Sequence, residues 1–95
     1  MNLGVVTGSL VASRKDPAMV GMTFLVVRQL DVDNTRTGAY VVAVDAVGAG
    51  VGEVVMYASG SSARQTLLTR DKPADAVIMA IVDTWDVDGE TVYTK

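Results

Sequence analysis

The fold of this protein is decided by residues 39–58, AYVVAVDAVGAGVGEVVMYA, in which two valine-rich segments flank a glycine-rich one. β-Branched residues favour strands, and closely spaced glycines favour turns and loops. The stretch therefore predicts a strand over residues 39–46, a tight loop, and a second strand over residues 53–58. The same composition recurs along the chain and predicts further strands over residues 3–12, 24–30, 76–87 and 91–94.

Short turns separate these strands, and only one segment is predicted to be helical. Residues 33–38 are predicted to form the tip of a hairpin, and Asp88-Gly89 the tight turn before the last strand. Ser61-Ser62-Ala63-Arg64-Gln65 follows Gly60 with Ser61 in the N-cap position, so one or two helical turns are expected there. Five main strands with one short helical insert predict an all-β domain, a small five-stranded Greek-key barrel of the OB type.

Four of the predicted strands are apolar on both faces, most clearly at residues 40–44 and 77–82. The alternation that marks a half-solvated strand is missing there, so both faces should be shielded from water. One face fills the barrel, and the sequence has no long amphipathic helix to cover the other. Exposing a Val or Ile forgoes about 1.5–3 kcal/mol and invites aggregation. We therefore predict that further copies of the chain supply the cover, in an obligate homo-oligomer.

The composition excludes several classes of function. The chain has 95 residues, so residues 1–95 are expected to form a single domain. His and Cys are both absent, which removes the usual proton shuttle, thiol nucleophile and zinc ligands. No enzyme activity, catalytic residue, cofactor or metal site is therefore predicted. A formal charge of -3 argues against nucleic acid or anionic lipid as a partner.

No segment of the sequence is typical of export or membrane insertion. The longest apolar run, residues 76–82, is far shorter than the roughly 20 residues that a bilayer span requires. Arg14 and Lys15 follow the first apolar stretch, whereas a signal peptide places its basic residues before it. We expect a location in the cytoplasm.

The glycine-rich segment Gly48-Ala49-Gly50-Val51-Gly52-Glu53 does not match a phosphate-binding motif. A P-loop ends in Gly-Lys-Ser/Thr, and a dinucleotide fingerprint opens a helix, whereas a strand is predicted to begin at Glu53. We predict a tight loop in which glycine permits a positive φ or the close approach of a neighbouring chain. Residues 31–35 lack the glycine and glutamate of a calcium loop and are predicted to form a solvated turn.

Four carboxylates border the apolar strands, and they are the candidates for acid–base chemistry: Asp45, Glu53, Asp75 and Asp83. Two of them could form an acid and base pair if they faced each other. Their spacing does not show that any two meet. Roles as caps, turn acceptors or arginine partners are therefore favoured.

Trp85 and Tyr57 are the candidates for stacking a base or a sugar, as aromatic residues on OB barrels do. No lysine or arginine flanks them, so packing is the favoured interpretation. Arg64, in the predicted helical turn, could pair with a carboxylate of an adjacent subunit or reach a ligand in a pore, and the interface role is favoured. Four methionines are also interpreted as packing residues: Met19, Met22, Met56 and Met79.

Five short motifs follow one another along the chain in a distinctive order. They are Leu3-Gly4-x-Val6-x-Gly8, Val42-Ala43-Val44-Asp45, Gly48-Ala49-Gly50-x-Gly52-Glu53, Gly60-Ser61-Ser62-Ala63-Arg64 and Pro73-x-Asp75-Ala76. In this order they closely resemble the vertex proteins of bacterial microcompartments, the EutN/CcmL family, over essentially the whole chain. The chain departs from the family at Gln29, where members often have proline, and at Met22-Thr23, where they often have a lysine-leucine pair.

The resemblance implies a five-stranded OB-like barrel that assembles as a cyclic homopentamer. Such a ring is a structural shell protein that closes the fivefold vertices of a microcompartment around metabolic enzymes in the cytoplasm. Its expected partners are further copies of itself and hexameric or pseudohexameric shell proteins, with no nucleic acid and no membrane. The alternative, from the barrel alone, is an OB-type binding module for an oligosaccharide or single-stranded nucleic acid. The resemblance assigns nine residues to the subunit interface or the surroundings of the axial pore: Gly48, Ala49, Gly50, Gly52, Glu53, Ser61, Ser62, Ala63 and Arg64.

Overall fold

A computed structural model describes residues 1–72 and 74–95, so Pro73, the first residue of one quoted motif, lies outside the described residues. This part of the chain forms seven strands and two short 3-10 helices. In chain order they are β1 (Asn2–Leu10), the first 3-10 helix (Pro17–Met19), β2 (Phe24–Leu30), β3 (Arg36–Asp45), β4 (Val54–Ser59), the second 3-10 helix (Gly60–Arg64), β5 (Ala76–Ile81), β6 (Thr84–Val87) and β7 (Glu90–Thr94). None of the described helices is long and apolar enough to cross a membrane.

Five of the strands close into a barrel in the order β1-β2-β3-β5-β4. All neighbours are antiparallel except β3 and β5, which run parallel with Val44 opposite Val77. The connection from β3 to β4 therefore bypasses β5, which takes the place between them. This arrangement confirms the predicted all-β class and the small five-stranded barrel.

The barrel interior is filled by aliphatic side chains. Val27, Val55 and Ile78 have no measurable exposed surface and form one cluster with Tyr57. Gly4 faces this cluster from β1, and a Cβ atom there would lie 2.3 Å from Val27 Cγ1 and 3.0 Å from Tyr57 Cε1. Only glycine lets β1 approach β2 and β4 this closely, because a real Cβ atom would overlap both side chains.

The prediction of one strand over residues 76–87 is wrong, because residues 82–83 separate this segment into two strands, β5 and β6. The Val82 amide still donates to the Val54 carbonyl at 2.8 Å, in register with the pairing of β4 and β5. The chain then leaves the barrel, and β6 pairs with β7 in a separate two-stranded sheet. The turn of this hairpin is the predicted one, since Asp88 and Gly89 both have positive φ, at 53° and 82°.

Two further turns differ in detail from the predictions. The hairpin between β2 and β3 turns over residues 31–35, where the Asp31 amide donates to the Thr35 carbonyl at 2.9 Å and Asn34 has a φ of 68°. This confirms the solvated turn at residues 31–35, but residues 36–38 belong to β3 and not to the predicted hairpin tip. The second 3-10 helix begins at Gly60, so Ser61 is not its N-cap. The N-cap position is Ser59, whose side chain makes no capping hydrogen bond.

The expectation of a single helical segment was also wrong, since Pro17–Met19 forms a second one. Asp16 is its N-cap and accepts a hydrogen bond from the Ala18 amide at 2.9 Å, with proline at the first helical position. An aspartate followed directly by proline is a recognised start of a helix. The sequence therefore carried the signal for this turn.

Candidate subunit interface

The glycine loop, defined as residues 46–53 between β3 and β4, is held at both ends by carboxylates. Asp45 Oδ1 accepts hydrogen bonds from the amides of Val47 and Gly48, at 3.0 and 3.1 Å. Glu53 Oε1 accepts one from the Gly50 amide at 2.7 Å. Each carboxylate satisfies backbone donors that no strand pairs with, so the loop has one defined shape.

Positive φ angles confirm that the loop is tight. Gly48 and Gly52 have φ angles of 77° and 93°, which L side chains rarely adopt. The Gly52 amide donates to the Val6 carbonyl at 2.8 Å, and the Glu53 amide to the Gly50 carbonyl at 3.1 Å. The amides of the three glycines in this motif, Gly48, Gly50 and Gly52, thus have partners within the chain and are not free donors for a phosphate.

Glu53 also joins the glycine loop to the far end of the chain. Its Oε2 lies 2.8 Å from Nζ of Lys95, which is 42 residues away in sequence. The hydrogen bond from Lys95, together with the one from the Gly50 amide, lowers the pKa of Glu53 below its ordinary value of 4.5. The same contact raises the pKa of Lys95 above 10.5. Nothing in the sequence pattern indicated this pair.

The side chains of the loop point in two directions. Ala49 packs against the main core cluster of the barrel. Val51 is 66% exposed, and Val47 is also exposed to solvent. The loop therefore fixes its backbone against the barrel while it presents two valines to solvent.

The second 3-10 helix covers the outer side of β5. Ala63 is fully buried in a cluster with Ala74 and Val77, while Ser61 and Ser62 are exposed. The prediction that another subunit covers both apolar strands is therefore wrong for Val77 on β5, because this short helix supplies the cover from the same chain. Among the described residues, no hydrogen bond joins this helix to the glycine loop.

Arg64 has its partners within the same chain. Its Nη1 donates to the Ala74 carbonyl at 3.3 Å and lies 3.4 Å from Asp75 Oδ1. The Asp75 side chain is 98% exposed, so this ion pair is open to solvent and weak. Asp75 and Asp45 thus have the structural roles that the sequence favoured, as arginine partner and turn acceptor.

The two candidate aromatic residues do not form a binding platform. Tyr57 is buried in the barrel core, and this burial raises its pKa above 10.0. The Trp85 ring stacks on Tyr93 with centroids 5.1 Å apart, and its Nε1 donates to the Val32 carbonyl at 2.8 Å. Both residues confirm the packing interpretation. Among the described residues, no group of three or more acidic side chains is placed to hold a metal ion.

The outer face of β3 carries two apolar side chains, Tyr40 and Val42, that the described residues leave exposed. Ala43 points inward and is fully buried, whereas Tyr40 and Val42 point outward and are 58% and 48% exposed. Arg28 lies over the Tyr40 ring, 5.3 Å from its centroid, and shields one side of it. The strand is thus apolar on both faces as predicted, and one of those faces is open.

These features define a class of protein: a small closed β-barrel of the OB type with an uncovered apolar face and a rigid glycine loop. Residues 1–83 match the family model described as ethanolamine utilisation protein EutN/carboxysome. The chain belongs to this EutN/CcmL family, which confirms the resemblance seen in its motifs.

Relatives with assigned roles support the same placement. The carboxysome shell vertex protein CcmL of Gloeobacter violaceus is 42% identical over 95 residues, covering 100% of this chain and 95% of the relative. The solved structure of Gloeobacter violaceus CcmL superposes with a TM-score of 0.96 at 42% identity, covering 100% of this chain and 98% of that one. GrpN of Rhodospirillum rubrum, described as a pentameric microcompartment shell protein, has a TM-score of 0.84 at 40% identity and coverages of 92% and 99%.

Proposed function

We propose that this chain is a structural shell protein that assembles as a ring of five copies and closes the fivefold vertices of a bacterial microcompartment shell. The observation that carries the proposal is the open outer face of β3, with Tyr40 and Val42 exposed in the single chain. A protein that remained monomeric would keep this apolar face in water. Membership of the EutN/CcmL family and a pentameric relative support five as the number of copies.

A ring of this kind needs two different surfaces on each subunit. In a cyclic assembly the contact is heterologous, so a patch on one copy meets another patch on the next, and the ring closes when the rotation per contact fits. A fivefold ring supplies the curvature that flat sheets of hexagonal tiles lack. Hexameric or pseudohexameric shell proteins are therefore the proposed neighbours of the ring.

The glycine loop and the second 3-10 helix are proposed to line the subunit interface or the axial opening. The residues concerned are Gly48, Ala49, Gly50, Gly52, Glu53, Ser61, Ser62, Ala63 and Arg64. Ala49 and Ala63 are turned to the core, so they act by fixing the backbone. Ser61 and Ser62 are exposed and free to contact a neighbour. The exposed Asp75 leaves the Arg64 pair open to an additional partner from the next subunit.

No enzyme activity is proposed for the chain. Asp45, Glu53 and Asp75 each hold a backbone amide or a basic side chain of the same chain. The alternative role is the binding of an oligosaccharide or a single-stranded nucleic acid. The two aromatic side chains expected to stack on such a ligand are engaged elsewhere, since Tyr57 is buried and Trp85 is stacked on Tyr93. The acidic balance of the sequence also disfavours a nucleic acid.

Light scattering after size exclusion tests the ring. The unmodified chain should elute with five times its own mass at micromolar concentration. Val42→Asp places a charge on the open face of β3 and should reduce the assembled mass. Val32→Asp is the matched control, because Val32 is also an exposed valine, at 64% against 48% for Val42, but lies in the turn at residues 31–35. A stable monomer or dimer of the unmodified chain would contradict the proposal.

A further inference from the structure

An apolar groove of about 260 Å³ lies on the outer surface of the barrel, over β3, the start of β2 and β5, and the end of β1. Its main lining residues are Leu10, Met19, Phe24, Val42, Val44 and Ala76. The charged residue on its rim is Asp75. The groove is continuous with the open face of β3, because Val42 belongs to both.

The wall of the groove is built by the connection between β1 and β2. The Asp16 carboxylate and Pro17 set the first 3-10 helix, and the Met22 amide donates to the Met19 carbonyl at 3.2 Å. These contacts turn the connection back towards β2, and Met19 and Phe24 both line the groove. The groove is therefore preformed in the single chain.

The glycine loop has the properties of a matching insert. Its valines, Val47 and Val51, are exposed. Five hydrogen bonds donated by backbone amides between residues 47 and 53 fix the loop, three to carboxylates and two to backbone carbonyls. A loop that is already ordered loses little conformational entropy when it binds. Burying each valine would recover free energy that the single chain forgoes.

The loop and the groove are different surfaces of the chain, because the loop packs towards the barrel interior and the groove lies on the outer side of the barrel. The loop is bonded to β1 at Val6, through the Gly52 and Glu53 backbone. Ala49 of the loop packs on the core cluster inside the barrel, whereas Val42 and Val44 line the groove on the outer side of β3. A heterologous contact needs two such separate and complementary surfaces on one chain.

We infer that the glycine loop of one subunit inserts Val51 into the Leu10–Val42–Phe24 groove of the next subunit around the ring. This inference rests on the proposed ring and specifies both halves of its contact. The competing insert is the turn that follows the second 3-10 helix, where Leu67 is 89% exposed. That turn adjoins Ala63 and Ala74, which share a cluster beside the groove, so it lies on the same side of the chain as the groove.

Cysteine crosslinking tests the inference cleanly, because the chain contains no cysteine. Val42→Cys and Val51→Cys are combined in one chain, and the purified assembly is treated with a short bis-maleimide. Denaturing electrophoresis should show a ladder of crosslinked species that ends at five chains. Each single variant should remain a monomer on the gel, since the inferred contact joins Val51 to Val42 and not two copies of the same residue. A ladder from Val51→Cys alone would place the loops of neighbouring copies together around the axis and would overturn the inference.

The matched variant pairs Val42→Cys with Leu67→Cys. A ladder from this pair, with none from the Val42 and Val51 pair, would overturn the inference in favour of the competing turn. Light scattering on the same samples keeps the two proposals apart. If the assembly has the mass of five chains but no crosslink forms between Val42→Cys and Val51→Cys, the loop-and-groove contact is overturned and the ring still stands. If the unmodified chain does not have the mass of five chains, the ring is refuted, and the contact with it.

Discussion

The barrel and the C-terminal hairpin differ in how much apolar surface they bury for themselves. In the barrel, Val27, Val55 and Ile78 are fully enclosed by neighbouring strands. In the hairpin formed by β6 and β7, no residue is buried to that degree, and Trp85 and Tyr93 are only half-buried. A two-stranded hairpin without such a core is marginally stable on its own.

The hairpin depends on a few contacts with the barrel and with its own strands. Trp85 and Tyr93 pack onto a small cluster that includes Leu30 and Val54 at one end of the barrel. Thr84 Oγ1 donates to the Tyr93 carbonyl at 2.8 Å and supports the ladder. The order of the hairpin thus follows from the barrel, and not the reverse.

This difference coincides with the limit of the family match. The family model ends at Asp83, one residue before β6 begins. The matched part contains the closed barrel, the glycine loop and the second 3-10 helix. The family model therefore covers the barrel alone, whereas the Gloeobacter violaceus relative aligns with the whole chain, hairpin included. Within this chain the hairpin has fewer buried side chains to stabilise it than the barrel has.

The largest expected effect comes from the barrel core. Ile78→Ala should lower the free energy of unfolding by about 2–5 kcal/mol, because it leaves a cavity among fully buried side chains. Chemical denaturation at fixed protomer concentration measures the loss, since assembly contributes to apparent stability. Val87→Ala in the exposed part of the hairpin is the control and should cost less than about 0.5 kcal/mol. Equal losses for the two variants would contradict the comparison.

A smaller effect is expected when the aromatic anchor of the hairpin is removed. Trp85→Ala should loosen the hairpin by about 1–2 kcal/mol, because it removes an aromatic pair and the hydrogen bond to Val32. Amide hydrogen exchange should become faster in β6 and β7 and stay unchanged in the barrel. Trp85→Phe keeps the stacked pair and should have the smaller effect. Equal loss of protection in the barrel would show that the two regions unfold together.

The barrel was largely predictable from the sequence because its strands are dense in valine and bounded by glycine. The prediction for residues 24–30 has the same bounds as β2. The long strand predicted over residues 76–87 failed for a physical reason. The apolar sequence continues through Val82, and the chain changes its pairing partner only after that residue. The Val82 amide still donates to the Val54 carbonyl in the barrel, whereas the Asp83 carbonyl accepts from the Lys95 amide, and this exchange between distant parts of the chain leaves no local signal.

The candidate interface was predictable only in part, for the same reason. The glycine motif indicated a tight loop, and Gly48 and Gly52 confirm it. The sequence could not show that the second 3-10 helix covers Val77, because a helix of five residues carries no periodic pattern. Nor could it place Lys95 beside Glu53, since long-range ion pairs leave no local signal.

The smallest effect is expected at the contact between Lys95 and Glu53, which ties the end of the hairpin to the glycine loop. The lowered pKa of Glu53 means that its contribution to stability is present above pH 4.5 and is lost as the pH falls through the folded-state pKa. The raised pKa of Lys95 means that its contribution is present below pH 10.5 and is lost as the pH rises through the folded-state pKa.

Lys95→Ala should therefore lower the thermal midpoint slightly at neutral pH, and the difference from the unmodified chain should vanish once Glu53 is protonated. Added salt should also shrink it, because both side chains are solvent-accessible. Lys15→Ala is the matched control, since Lys15 Nζ bonds the Ala12 carbonyl and has no carboxylate partner among the described residues. If the lower thermal midpoint of Lys95→Ala persists in acid, Lys95 acts through packing of its aliphatic stem. The ion pair with Glu53 would then not contribute to the contact between the hairpin and the glycine loop.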